Sequence, residues 1–149
     1  LVVACDEEED DPLAVPENKI SERGLLVENN SEKTWQLNLV SFNGEVQPMV
    51  QGQYKDIRLK LYSDSRWVDS RDNQGLWGFT EGARQLQLLR REPNGRNIDT
   101  TYFIIDSLTR RRMELRPDAN RSNSLYFGNP RSQNIFTVWI PETNPANQP

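Results

Sequence analysis

The chain of 149 residues has no histidine and one cysteine, Cys5. Without histidine, a Ser-His-Asp or Cys-His catalytic site cannot be built. A zinc site made of cysteine and histidine is excluded too, and a lone cysteine closes no intrachain disulfide. Long apolar runs are missing as well. The longest in the body is Tyr102-Phe103-Ile104-Ile105, far short of the roughly 20 residues that cross a bilayer as a helix. Apolar residues are scarce overall, at 35% with a mean hydropathy of −0.80. Leu, Ile, Val and Phe still make up about a quarter of the chain, above the roughly 20% below which disorder is expected. One small core is therefore affordable, and two domains are not.

What charge there is falls unevenly. The net charge is −4, but residues 1–32 carry −8 and residues 33–149 carry +4. The acidic excess belongs to the first fifth of the chain. It begins with six consecutive carboxylates, Asp6-Glu7-Glu8-Glu9-Asp10-Asp11, which repel one another and read as a solvated tether. The run has neither the glycine nor the ligand spacing of a calcium loop. Pro12 and Pro16 extend the tether by disfavouring helix. Leu25, Leu26 and Val27 form a short docking element before the polar Asn29-Asn30-Ser31.

Ahead of the acidic run stands Leu1-Val2-Val3-Ala4-Cys5, an apolar stretch ending in small residues like the close of a secretory signal. It resembles a bacterial lipobox, with Cys5 as the lipid acceptor. A buried core thiol, the competing reading, sits poorly beside six carboxylates. The acidic cluster just after Cys5 is similar to the surface-export signal of Bacteroidetes lipoproteins. Those resemblances imply a bacterial outer-membrane protein held by lipid on Cys5, with more than one acyl chain for stable anchoring. The chain then divides into a signal remnant (1–4), a lipidated, disordered tether (5–31), a β domain (32–141) and a Pro-rich tail (142–149).

From residue 34 the pattern has period two. Thr34 to Leu39 puts Trp35, Leu37 and Leu39 on one face, and Asn43-Gly44 turns. Ile57 to Tyr62 alternates cleanly, Arg66-Trp67-Val68 returns, and Gly75 to Phe79 places Trp77 and Phe79 together. Leu86-Gln87-Leu88, Thr100 to Ile105, Met113-Glu114-Leu115, the short Leu125-Tyr126-Phe127 and Ile135 to Ile140 follow. Asp106-Ser107 reads as a turn between two of them. Short connections between eight or nine strands predict an all-β, single antiparallel up-and-down barrel of about eight strands. Thr34-Trp35-Gln36-Leu37 leading to Phe42-Asn43-Gly44, then Gly75-Leu76-Trp77-Gly78-Phe79 with Leu86-Gln87-Leu88, and Tyr102-Phe103-Ile104-Ile105 with Met113-Glu114-Leu115, resemble the lipocalin-like domains of Bacteroidetes lipoproteins. Lys33 stands where the lipocalin G-x-W pattern has glycine.

Candidate sites are few. Trp67, Trp77, Phe79 and Tyr102 could line a barrel-mouth pocket for a small apolar or amphipathic ligand. The competing reading is that the indoles fill the core, with Trp35 the safest core position and Trp67 the one expected to be exposed or pocket-lining. Arg110, Arg112 and Arg116 belong to a basic stretch that could meet an anionic partner. On a strand its arginines would point to opposite faces and blunt an edge against aggregation. Asp64, Asp69, Asp72 and Asp99 lie near turns, where carboxylates bond their own backbone far more often than they form a hydrolytic pair. Asp106-Ser107-Leu108 resembles the Bacteroidetes O-glycosylation motif, which implies modification at Ser107. No metal or cofactor is expected, nor nucleic acid for a net-acidic exported protein. Two functions stand: a non-enzymatic accessory subunit of an outer-membrane protein complex, or a carrier of a small apolar ligand.

Overall fold

The computed structural model describes residues 22–27, 32–49, 52–80, 82, 84–121, 124–131 and 133–142. Cys5, the acidic run and all of the tail beyond Glu142 lie outside them. The described residues form a short helix, α1 (Glu22–Val27), and nine strands: β1 (Glu32–Phe42), β2 (Glu45–Val46), β3 (Arg58–Tyr62), β4 (Arg66–Asp69), β5 (Gln74–Thr80), β6 (Gln85–Arg91), β7 (Asn97–Leu108), β8 (Met113–Pro117) and β9 (Ile135–Pro141). Apart from β2, each strand pairs antiparallel with its neighbours in chain order, and β9 pairs back onto β1. The result is a closed eight-stranded up-and-down barrel. The two-residue β2 hangs on β1 as an extra strand. Closure removes the exposed strand edges that an open sheet would offer.

Alternation decides which side chains enter the barrel. Leu59 and Leu61, Leu86 and Leu88, Phe103 and Ile105, Met113 and Leu115 are all buried, each separated by a more exposed residue. Three bulges break the period. Opposite β9, Leu39 pairs with Val138 and Leu37 with Trp139, leaving Asn38 unmatched. The phase of β1 then shifts, so Val40 enters the core and Leu39 is only half-buried. The expectation that Trp35, Leu37 and Leu39 share one face therefore fails at Leu39. A second bulge at Ile98 leaves that side chain 47% exposed. The third, at Asp106, lets β7 run on to a buried Leu108. Asp106-Ser107 is thus inside a strand and not a turn, because one unpaired residue restores the inward phase. Leu125-Tyr126-Phe127 is likewise no strand, but a turn closed by a single Ser124–Gly128 bridge.

Successive hairpins place alternate connections at the same end of the barrel. One end carries the β3–β4, β5–β6 and β7–β8 turns and is plugged by α1. Leu25, Leu26 and Val27 are buried in the common core. Their carbonyls are gripped from below: the Trp35 indole N–H donates to Leu26 O at 3.0 Å, and Lys33 Nζ donates to Leu25 O at 3.2 Å and Arg110 O at 2.9 Å. Arg23 donates to Ser63 O and lies 4.1 Å over the Trp77 ring. Residues 25–27 of the expected tether are therefore part of the core. The opposite end is covered by the β8–β9 loop and the 47–56 segment. There Phe42, Tyr54, Phe127, Tyr126 and Trp139 form a chain of ring contacts with centroids 5.8–6.3 Å apart.

Candidate functional site

The interior is filled with the bulkiest side chains. Trp35, Trp67 and Trp139 have no exposed surface, and Trp77 retains 4%. An eight-stranded barrel is just wide enough for side chains to fill it, and indoles supply the volume that the scarce aliphatic residues do not. Every indole N–H is satisfied within the protein. Trp35 donates to Leu26 O, Trp67 to Leu89 O at 3.0 Å, Trp77 to Tyr62 O at 2.8 Å and Trp139 to the Thr137 hydroxyl at 2.9 Å. Trp67, expected to be exposed or pocket-lining, has no exposed surface, because its short strand β4 turns it inward opposite the bare Gly75, and it lies at the base of the hollow lined by Arg66, Gln74 and Arg91. Phe79 packs partly buried against the core. Tyr102 lies on the outer surface, between the buried Thr101 and Phe103. The four residues proposed as one ligand site thus divide between inside and outside.

At the rim opposite α1, a polar network holds the lid. The Tyr126 phenol donates to Asp69 Oδ2 at 2.6 Å. Asp69 also accepts from Asn73 Nδ2 at 2.9 Å and from the Asn73 and Arg71 backbone N–H groups, both at 2.8 Å. Asn73 accepts from Arg90 at 3.2 Å, and Arg90 grips Asp99 through two hydrogen bonds of 3.1 and 2.6 Å. Burial, with the Asp69 carboxylate beside it, pushes the Tyr126 phenol far above its ordinary range. The hydrogen bonds to Asp99 raise Arg90 further. Tyr126 adopts φ 73°, a conformation costly for an aromatic residue and kept only where surroundings impose it. These bonds tie the Tyr126 turn to Asp69 of β4 and, through Asn73 and Arg90, to Asp99 of β7, as a latch. Asp69 bonds its own turn backbone, as expected of a turn aspartate. The link to Tyr126, 57 residues away, carries no signal in the sequence.

The arginines do not make one site. Residues 109–112 form the β7–β8 turn, closed by Thr109 N–H to Arg112 O, so Arg110 and Arg112 sit on a hairpin tip. The expected edge strand is absent here, since β8 is paired with both β7 and β9. Arg110 is partly buried with its carbonyl on Lys33. Arg112 pairs with Glu114 at 2.8 Å, and Arg116, farther along β8, pairs with Asp106 at 2.7 Å. Arg116 also lines a surface hollow of about 430 Å³ with Asn43, Gln133 and Asn134. Ser107 is half-buried beside the Asp106 bulge. Among the described residues no cluster of three or more Asp, Glu, Cys or His could hold a metal ion, and no helix is long and apolar enough to cross a membrane. The chain matches no protein-family model, no curated protein and no solved structure.

Proposed function

We propose that the protein is a non-enzymatic accessory subunit of an outer-membrane protein complex, held to the bacterial outer membrane by lipid on Cys5 and docking through the outside of its barrel. One observation carries the preference over a carrier. All four indoles are consumed inside the barrel by the protein's own carbonyls and hydroxyl, and α1 and the Tyr126 loop cover the two ends. A carrier needs an apolar hollow of several hundred Å³ that buries its ligand. The hollows here lie on the surface, and their walls include Arg66, Arg91 and Arg116. The basic balance of the barrel favours an anionic partner surface, and Ser107 is the proposed glycosylation position.

The test is purification of the native lipoprotein from detergent-solubilised envelope, followed by native mass spectrometry and organic extraction. A fixed-stoichiometry complex with a membrane protein and no extracted small molecule is expected. Recovery of the protein alone, with one apolar molecule bound per chain, overturns the reading in favour of a carrier. An unmodified Cys5 in the intact mass removes the anchor from it.

A further inference from the structure

Strand β5 holds two glycines three residues apart, and the fold requires only the first. At Gly75 an added Cβ would fall 1.8 Å from the Leu89 carbonyl oxygen and 3.1 Å from the Trp67 indole nitrogen. The Trp67–Leu89 hydrogen bond exists because that position is bare. At Gly78 an added Cβ meets no atom within 4 Å, and the backbone there does not take a positive φ. Glycine inside a strand loses conformational freedom on folding and packs nothing, and it often marks a place where something else approaches closely.

What Gly78 provides is the floor of an outward-facing groove of about 280 Å³. Gly78 pairs with Gln87, and Gln87 with Tyr102, so the three form one row across β5, β6 and β7. Leu76, Leu89 and Thr100 form the adjoining row and the side wall. Gly78 and Tyr102 are two strand spacings apart, about 10 Å. The Arg121 guanidinium stacks 4.0 Å from the Tyr102 ring centroid. It comes from the loop after β8, on the side of β7 away from Gly78, and so braces the ring that closes the groove.

The geometry points to a saccharide-binding groove at Gly78, in which a pyranose ring lies over the bare strand between Leu76, Leu89 and Tyr102. Its apolar C–H face meets the two leucines. Its hydroxyls face the Thr100 hydroxyl, the Tyr102 phenol and Gln87 Oε1, the Gln87 amide nitrogen being spent on Thr80 at 3.0 Å. An aromatic side chain from a partner protein would fit the volume but would cover these polar groups without pairing them, which is costly. A sugar pairs them. The site goes beyond the docking reading and does not depend on it.

The test is an NMR titration of the ¹⁵N-labelled full chain. The probes are methyl β-D-glucopyranoside, methyl β-D-galactopyranoside, methyl α-D-mannopyranoside and N-acetyl-tyrosinamide. Each is taken to about 50 mM, enough to see a Kd on the order of 10 mM. Saturable shifts from at least one glycoside are expected at Gly78, Gln87, Thr100 and Tyr102. Gly78→Val is expected to abolish them with the remaining spectrum unchanged, and Tyr102→Ala, which removes one hydrogen-bond partner and a wall of the groove, to weaken binding roughly tenfold. If Gly78→Val does not fold, Tyr102→Ala decides alone. No response to any glycoside overturns the proposal. So does a response confined to N-acetyl-tyrosinamide, which would assign the groove to a partner's aromatic side chain, and so does glycoside binding that survives the variants.

Discussion

Alanine placed at Gly75 and at Gly78 should change stability in opposite directions, although both lie in β5. At Gly75 the methyl group would sit 1.8 Å from the Leu89 oxygen and 2.9 Å from the Leu89 carbonyl carbon, both backbone atoms. Ordinary contact needs well over 3 Å, so β5 and β6 must separate or the Trp67 indole must lose its acceptor. Overpacking costs about 1–3 kcal/mol, and a buried indole N–H left without a partner adds about 1–3 kcal/mol. We expect Gly75→Ala to destabilise by about 3–4 kcal/mol, a large share of the roughly 5–15 kcal/mol typical of a domain. That lowers Tm by roughly 10 °C for a chain of this size. At Gly78 the methyl group enters open space, and relief of the glycine penalty should stabilise by about 0.5–1 kcal/mol. Urea unfolding followed by tryptophan fluorescence measures both, with a second readout in the emission maximum, which should redden for Gly75→Ala as Trp67 is disturbed. Equal effects of the same sign would refute the assignment of Gly75 to packing and Gly78 to an open surface.

Other substitutions probe the latch, the plug and the core. Tyr126→Phe removes a hydrogen bond to a carboxylate that keeps three N–H donors, so a loss of about 1.5 kcal/mol in urea is expected. The native Tyr126 phenol stays protonated far above its ordinary range, whereas the unfolded phenol titrates near pH 10. The contribution of Tyr126 is therefore complete below about pH 10 and falls as pH rises above it. Tyr126→Phe should flatten that alkaline loss in a pH series of unfolding curves. Trp35→Phe removes the donor that holds Leu26, with an expected cost of about 2–3 kcal/mol and faster amide exchange in α1. Thr137→Val keeps the shape but takes the acceptor from the buried Trp139 N–H and the hydroxyl donor from Leu115 O. It should cost about 2–4 kcal/mol in calorimetric unfolding.

The strands were legible where the period holds. Leu59 and Leu61, or Leu86 and Leu88, enter the core as their alternation demands. Legibility ended at the bulges. Leu39 and Val40 exchange faces because of an unpaired Asn38, and no local pattern marks Asn38 as unpaired. Trp67 sits in the core although polar Ser65 and Asp69 share its face in the sequence. Asp69 is spoken for by Tyr126 and Asn73, contacts that turn a polar rim into a sealed one. Arg110, Arg111 and Arg112 form a hairpin tip in place of the expected edge strand, since three consecutive polar side chains suit a turn. Of the candidate site residues, Tyr102 and Trp77 line the groove at Gly78 and Gln87, and Arg116 lines a separate hollow; no motif in the sequence marks Gly78 or Gln87 as part of a site.

By itself the sequence determined a small, polar, all-β domain without histidine chemistry and an acidic excess confined to the N-terminal fifth. Those properties are set by composition, by period-two alternation and by turn residues, all of which act over a few positions. The short connections also predicted the eight-stranded up-and-down barrel that β9 closes onto β1, whereas only the tertiary structure decided the bulged registers, that α1 belongs to the core, and that all four tryptophans occupy the lumen. Each depends on pairing or volume matching between residues many positions apart, and a local pattern carries no record of which distant side chain will fill a given space. The charge split has a structural counterpart in the same sense. Several of the barrel's cations pair with carboxylates on its own surface, and the balance of +4 over residues 33–149 is what is left for an anionic partner.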